Sequence, residues 1–155
     1  MKSASSDAAD FLLEDFLPYE LSVAANRISR LFARRYSEAF GLSIAQWRVL
    51  AVVGRHQALS PGQVADATEM DKVKVSRAAA SLVERGLLSQ QTDPQDGRAR
   101  VLRLTEAGRA IHSSIVPLAR DLEAQIEARM APQDWAALRP ALRRLSMVVA
   151  ELEGE

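Results

Sequence analysis

The chain has 155 residues, no cysteine, and 20 basic against 20 acidic residues, so its formal net charge is zero. This composition excludes disulfides, thiolate metal sites and thiol redox switching, and the length suits one domain large enough to hold a core. Apolar residues reach 48% while aromatics stay at 5%, and the abundance of alanine, leucine and arginine is that of a mainly helical protein.

Residues 1–10 are small, polar and acidic and are expected to form a disordered arm. They carry no charged and apolar regions of a signal peptide, and no apolar run in the chain approaches the ~20 residues of a membrane span. No membrane contact and a cytoplasmic location are therefore expected. Phe11, Leu12, Leu13, Phe16 and Leu17 form an apolar cluster before Pro18. It is too short to be stable alone and is read as an arm that packs on a partner subunit, with a local cap on the first helix as the alternative.

From about Pro18 to Phe40, Leu21, Ala24, Ala25, Ile28, Leu31 and Phe32 form a helical stripe that Gly41 ends. Arg27, Arg30, Arg34 and Arg35 lie off the stripe as a solvated set. Ser43-Ile44-Ala45-Gln46 is a capping box opening a second helix through Trp47, Leu50 and Val53, expected to stop near Gly54.

Ser60-Pro61-Gly62-Gln63 is another capping box, with proline at the first helical position. That helix lasts about two turns, because Thr68-Glu69-Met70 breaks the pattern and Asp71 is a new N-cap. From Asp71 to Arg85, Val75, Ala78, Ala79 and Leu82 share one face, and Val73, Ser76, Arg77, Ala80, Ser81 and Glu84 share the other. Gly86 stands where a glycine ends a helix. The outer face is small at Ala80 and Ser81, with Arg77 near its middle and Lys72 and Lys74 toward its edges. This layout suits a helix pressed into a DNA major groove. Arg77 and Ser76 reach base edges, Val73 meets a thymine methyl, and the lysines flank the phosphates. An ordinary amphipathic helix is the plainer alternative.

Leu87 to Thr92 and Ala99 to Leu104 read as strands around the turn Asp93-Pro94-Gln95-Asp96-Gly97. Arg98, Arg100 and Arg103 load this hairpin with positive charge. Arg98 at the tip is placed to enter a narrow minor groove, with Asp96 expected to hold its side chain. The basic residues from Lys72 to Arg103 outweigh Glu84, Asp93 and Asp96, while both ends of the chain are acidic. A neutral protein so arranged still steers one face toward DNA. The fold expected is mainly α with a small β-wing: a winged helix-turn-helix over 43–105.

Thr105 caps a long helix with Ile111, Ile115, Leu118, Leu122, Ile126 and Met130 on one stripe and Pro117 inside it. Ala131-Pro132 starts a last helix with Trp135, Leu138, Leu142, Leu145, Val149 and Leu152 expected inward, and Pro140 inside.

The stretches SPGQVA from Ser60, Val75-Ser76-Arg77 with Leu82, Glu84-Arg85-Gly86-Leu87-Leu88, the wing Asp93-Pro94-Gln95-Asp96-Gly97-Arg98 and Leu104-Thr105-Glu106-Ala107-Gly108 resemble the MarR family of bacterial transcriptional regulators. The resemblance covers roughly Leu17 to Leu152. It implies one MarR-like domain over 1–155 whose dimerisation helices lie in 11–40 and 106–155. It further implies a homodimer on a palindromic operator in double-stranded DNA, usually a repressor released by a small aromatic acid. The DNA-binding set is then Ser60, Lys72, Val73, Lys74, Ser76, Arg77, Ser81, Asp96, Arg98 and Arg100. A monomeric helical bundle is the alternative to the dimer.

The resemblance puts an effector site between the dimer helices and the winged domain, with Asn26, Ser29, Arg30, Trp47, Arg48 and His112 as polar or aromatic candidates. An aromatic acid or thioester needs a flat apolar slot and a donor for its carboxylate, and Trp47 beside an arginine or histidine supplies both. A plain core tryptophan is the alternative. Leu17-Pro18-Tyr19-Glu20-Leu21-Ser22 with Asn26 resembles the branch of the family that responds to phenolic or hydroxycinnamic compounds. His56 and His112 are lone histidines, and no GxSxG, P-loop or GxGxxG occurs. No enzyme, metal or cofactor is expected. Two other functions fit less of the pattern: a DNA-binding protein without an effector, and a helical protein-interaction module.

Overall fold

Short polar side chains close most of the helix starts. Ser43 accepts from the Gln46 N–H at 3.1 Å while Gln46 Oε1 accepts from the Ser43 N–H at 2.9 Å. Ser60 and Gln63 repeat the exchange at the same distances. Each box satisfies N–H groups that a helix start leaves without partners. In the computed structural model, which describes residues 11–154, a 3-10 turn at Leu13–Asp15 precedes α1 (Leu17–Phe40) and α2 (Ile44–His56). There follow α3 (Pro61–Thr68), α4 (Lys72–Glu84), β1 (Leu88–Thr92), β2 (Arg100–Leu104), α5 (Glu106–Glu127) and α6 (Pro132–Glu153). The mainly α architecture with one antiparallel hairpin is the expected one. The arm over 1–10 lies outside the described residues.

Two compact units make up the chain, one through Ile115 and one from Val116. The core belongs to the first. Val49, Leu50 and Val53 of α2, Val64 of α3, and Val75 and Leu82 of α4 are fully enclosed there, joined by Leu102 and Ile115. Each such aliphatic side chain contributes about 1.5–3 kcal/mol by leaving water. Tyr36 of α1, which the sequence stripe omitted, is the largest side chain in this core.

At the end of α4 the Gly86 N–H reaches Val83 O at 2.9 Å and the Leu87 N–H reaches Leu82 O at 2.9 Å, with Gly86 at φ 72. This is a Schellman motif, and it turns the chain sharply into β1. Thr105 then ties the hairpin's return to the same point. Its hydroxyl donates to Gly86 O at 2.6 Å and accepts from the Gly108 N–H at 3.0 Å, so one side chain caps α5 and anchors it beside α4's exit. Gly108 packs against the Leu87 carbonyl so closely that any side chain there would overlap its oxygen.

The hairpin pairs Leu88 with Leu104 through Thr92 with Arg100. Leu59 adds a bridge on its other side, exchanging backbone hydrogen bonds with Leu102 at 2.8 and 3.2 Å.

Three features add detail to the expectations. Gly54 does not stop α2, which runs to His56. A Cβ at Gly54 would stand 3.0 Å from the His112 ring and 3.1 Å from Leu104, so the glycine serves close approach and not termination. In α1, Ala24, Ala25 and Ile28 of the predicted stripe are exposed, and burial begins only toward Tyr36. In α6, Trp135 and Leu145 are half-buried, but Leu138, Leu142, Val149 and Leu152 are exposed and no residue is fully buried. Pro117 and Pro140 sit inside unbroken helices.

Candidate nucleic-acid interface

The turn between α3 and α4 is set by Glu69, left-handed at φ 50, and by Asp71, whose Oδ1 accepts from the Val73 and Lys74 N–H groups at 2.8 and 3.2 Å. With Val75, Ala78, Ala79 and Leu82 locked in the core, α4 has one rotational setting. It leaves Lys72, Val73, Lys74, Ser76, Arg77 and Ala80 exposed, as the periodicity predicts. Val73 is 57% exposed, an apolar side chain where a merely solvated face would carry a long polar one. Arg77 and Lys74 border a depression of about 260 Å³ shared with Ser43, Ala45 and Gln46 of the neighbouring α2 start.

Ser81 departs from its expected place. It is half-buried at the edge toward α2, and its hydroxyl accepts from Gln46 Nε2 at 2.8 Å. Ser60 is half-buried, with its hydroxyl engaged in the α3 cap. A groove of about 470 Å³ places Ser60 and Gln63 opposite Arg100 and Arg103 of the wing.

The wing tip is a nest of backbone bonds. Asp93 Oδ1 accepts from the Gln95 N–H at 2.8 Å, and Asp96 Oδ1 accepts from the Arg98 N–H at 3.1 Å. Asp96 thus holds the backbone of Arg98, whereas its guanidinium was the expected partner. The reason is distance along the chain, since a short aspartate side chain naturally bonds the N–H two residues on. The only ion pair among the described residues joins Arg139 to Glu123, so Arg98, Arg100 and Arg103 stand exposed with their charges free.

Of the effector candidates, the structure brings some together. Trp47 lies between Tyr36 and His112, with ring centroids 6.1 and 5.9 Å away. Arg48 Nη2 donates to Ser29 Oγ at a long 3.4 Å. Burial pushes the Tyr36 phenol above its ordinary pKa, against a smaller downward pull from the Arg48 charge. Arg30 instead lines a groove of α1 with Arg27, Arg34, Ser37 and Glu38. Asn26 is exposed on α1. Tyr36 was legible, being four residues after Phe32 and four before Phe40 on a continuing stripe. For Gln46 the sequence signals only a cap, and for Arg85 a motif position and one charge of the basic stretch.

Among the described residues no His, Asp and Glu group is arranged to hold a metal, and no helix is long and apolar enough to cross a membrane. The MarR family model matches residues 40–99, the span from the end of α1 to the wing. A putative transcriptional regulatory protein for the hcr operon of Thauera aromatica is 25% identical over 93% of this chain and 89% of its own. The repressor NicR of Pseudomonas putida is 23% identical over 84% and 87%. Among solved structures, Bordetella bronchiseptica BpsR, whose DNA binding is regulated by 6-hydroxynicotinic acid, superposes with a TM-score of 0.78. It is 27% identical, over 88% of this chain and 96% of that one. The exposed α4 face and most of the basic wing fall within the span that matches the MarR family model, and over most of its length the chain is similar to transcriptional regulators of this fold.

Proposed function

We propose that this regulator is a homodimeric repressor that binds a palindromic operator and leaves it when a small aromatic acid, or a thioester of one, occupies the site around Trp47. The observation that carries the effector reading is the row of three rings, Tyr36, Trp47 and His112, contributed by α1, α2 and α5. Such a cluster offers a flat ligand an aromatic face to stack on, and Arg48 nearby supplies a donor for a carboxylate. The regulation of BpsR by 6-hydroxynicotinic acid supports the same ligand class.

On DNA, Ser76, Arg77 and Val73 read base edges, Lys72 and Lys74 hold phosphates, and Arg98 enters the minor groove. Two apolar surfaces support assembly in pairs. One is Phe11, Leu12 and Phe16 ahead of α1 with Leu17 at its start; the other is Leu142, Met147, Val148 and Leu152 on α6. Two-fold symmetry in the protein then matches two-fold symmetry in the operator.

The test is a fluorescence anisotropy titration on a duplex that the wild-type chain selects from random sequence. Benzoate, hydroxycinnamate, 6-hydroxynicotinate and their thioesters are added in turn. At least one should raise the apparent Kd, and Trp47→Ala should blunt its effect. If none shifts binding, the chain is a regulator without an aromatic effector.

A further inference from the structure

The recognition helix α4 is tied to the corner between α1 and α2 at two points one turn apart. Arg85, the residue that closes α4, donates from Nη1 to Gly41 O at 3.0 Å and from Nη2 to Phe40 O at 2.7 Å. These carbonyls end α1, where Gly41 turns left-handed at φ 64 and the helix has acceptors left over. A guanidinium suits them doubly. Its planar fork meets two oxygens at once, and its charge faces the negative end of the α1 dipole. The second tie is Gln46, whose Nε2 donates to Ser81 Oγ at 2.8 Å while its Oε1 closes the start of α2.

Arg77, Ser81 and Arg85 are spaced four apart and so lie in one row along α4. The row's base-reading member and its two anchored members therefore move as a unit. The corner they grip is also next to the cluster of three rings. Tyr36 is one turn before Phe40, and Trp47 directly follows Gln46.

We propose that Arg85, with Gln46, forms a latch that sets the angle of α4 on the α1–α2 corner and thereby sets operator affinity. Arg85 is then a positioning residue and not a phosphate anchor, and a shift of α1 against α2 reaches the DNA through it. The latch rests on the DNA-binding reading, and its link to an effector rests on the site proposed above.

A positioning role and a phosphate contact differ in salt dependence. Each phosphate neutralised contributes about 0.9 to the slope of log K against log salt, so an anchor lost from both halves of a dimer lowers the slope by about 1.8. Arg85→Ala, Arg85→Lys and wild type are titrated from low to moderate salt against the selected duplex and an unrelated one, with folding checked by circular dichroism. Arg85→Ala should lose about tenfold or more on the selected duplex, the scale of one charge-assisted hydrogen bond. It should lose little on the unrelated duplex and keep the wild-type slope. Arg85→Lys should recover part of the loss. If Arg85→Ala does not fold, Arg85→Gln, which keeps one donor, takes its place.

A slope lowered by about 1.8 makes Arg85 a phosphate anchor and overturns the latch. Unchanged affinity with only a lower melting temperature overturns it too, leaving a purely structural bond. A wild-type chain that enriches no sequence at all overturns the DNA-binding reading beneath it, which the variant series does not touch.

Discussion

Replacing Gly108 by alanine tests how rigidly the wing is joined to α5. In an exposed helix the change stabilises by about 1 kcal/mol through propensity alone. Here the added Cβ overlaps Leu87 O and stands 3.0 Å from the Leu87 carbonyl carbon and 3.4 Å from its Cα. The overlap with the oxygen is the tightest of these contacts, so the α5 start must retreat by about 1 Å or more. Overpacking of that kind costs about 1–3 kcal/mol. The retreat also stretches the Thr105 N–H bond to Leu87 O, now 3.1 Å, at a further cost of about 1–3 kcal/mol if the pair is left unmade. The net loss is about 1–5 kcal/mol, centred near 3. Gly62→Ala is the control, because its Cβ would meet nothing nearer than Ser60 Oγ at 3.9 Å. Urea unfolding followed by circular dichroism, at one protein concentration so that assembly does not confound the midpoint, compares the two. A Gly108→Ala chain as stable as Gly62→Ala would refute the close approach.

Arg77→Ala should cost about 1–3 kcal/mol on the selected duplex and relax preference at one base pair, whereas Lys72→Ala should weaken all duplexes alike and lower the salt slope. Equal losses on every sequence for both would remove the division of roles. Asp96→Ala deletes the acceptor for the Arg98 N–H and should weaken binding by about 0.5–1.5 kcal/mol despite removing a negative charge; tighter binding would mean the aspartate only repels phosphate. Leu142 is 43% exposed in the single chain, so Leu142→Asp should leave the fold intact and dissociate the proposed dimer in sedimentation equilibrium, an outcome that a persisting dimer contradicts. Because burial raises the Tyr36 pKa, the stability it contributes is full below about pH 10 and declines as pH rises through the folded value. Tyr36→Phe should flatten that decline in urea midpoints taken upward from about pH 9, and an unchanged pH profile would count against it.

What was legible in the sequence was local. Ser43, Ser60, Asp71 and Thr105 announce helix starts because their partners lie two or three residues away. The wing turn and Gly86 are legible for the same reason. The faces of α4 follow from period alone, and the exposed set matches except at Ser81, whose partner Gln46 lies on another helix. Asp96 was misjudged because sequence proximity to Arg98 does not say whether the N–H or the guanidinium is bound. Gly54 was misjudged because its reason for being glycine, His112, lies on another helix. The partners of Arg85 lie 44 and 45 residues away, and no local pattern points to them. The stripes of α1 and α6 were correctly apolar, yet periodicity cannot tell burial in one chain from burial between two.

The placement of the core has a consequence for the order in which the protein is made. Every member of the main core cluster lies at or before Ile115. Synthesis proceeds from the N-terminus at about 5–20 residues per second, and domains tend to fold as they emerge. The winged unit therefore has all its core residues translated before Val116 and α6 follow. The exposed apolar residues of α6 are thus translated after every residue of that core.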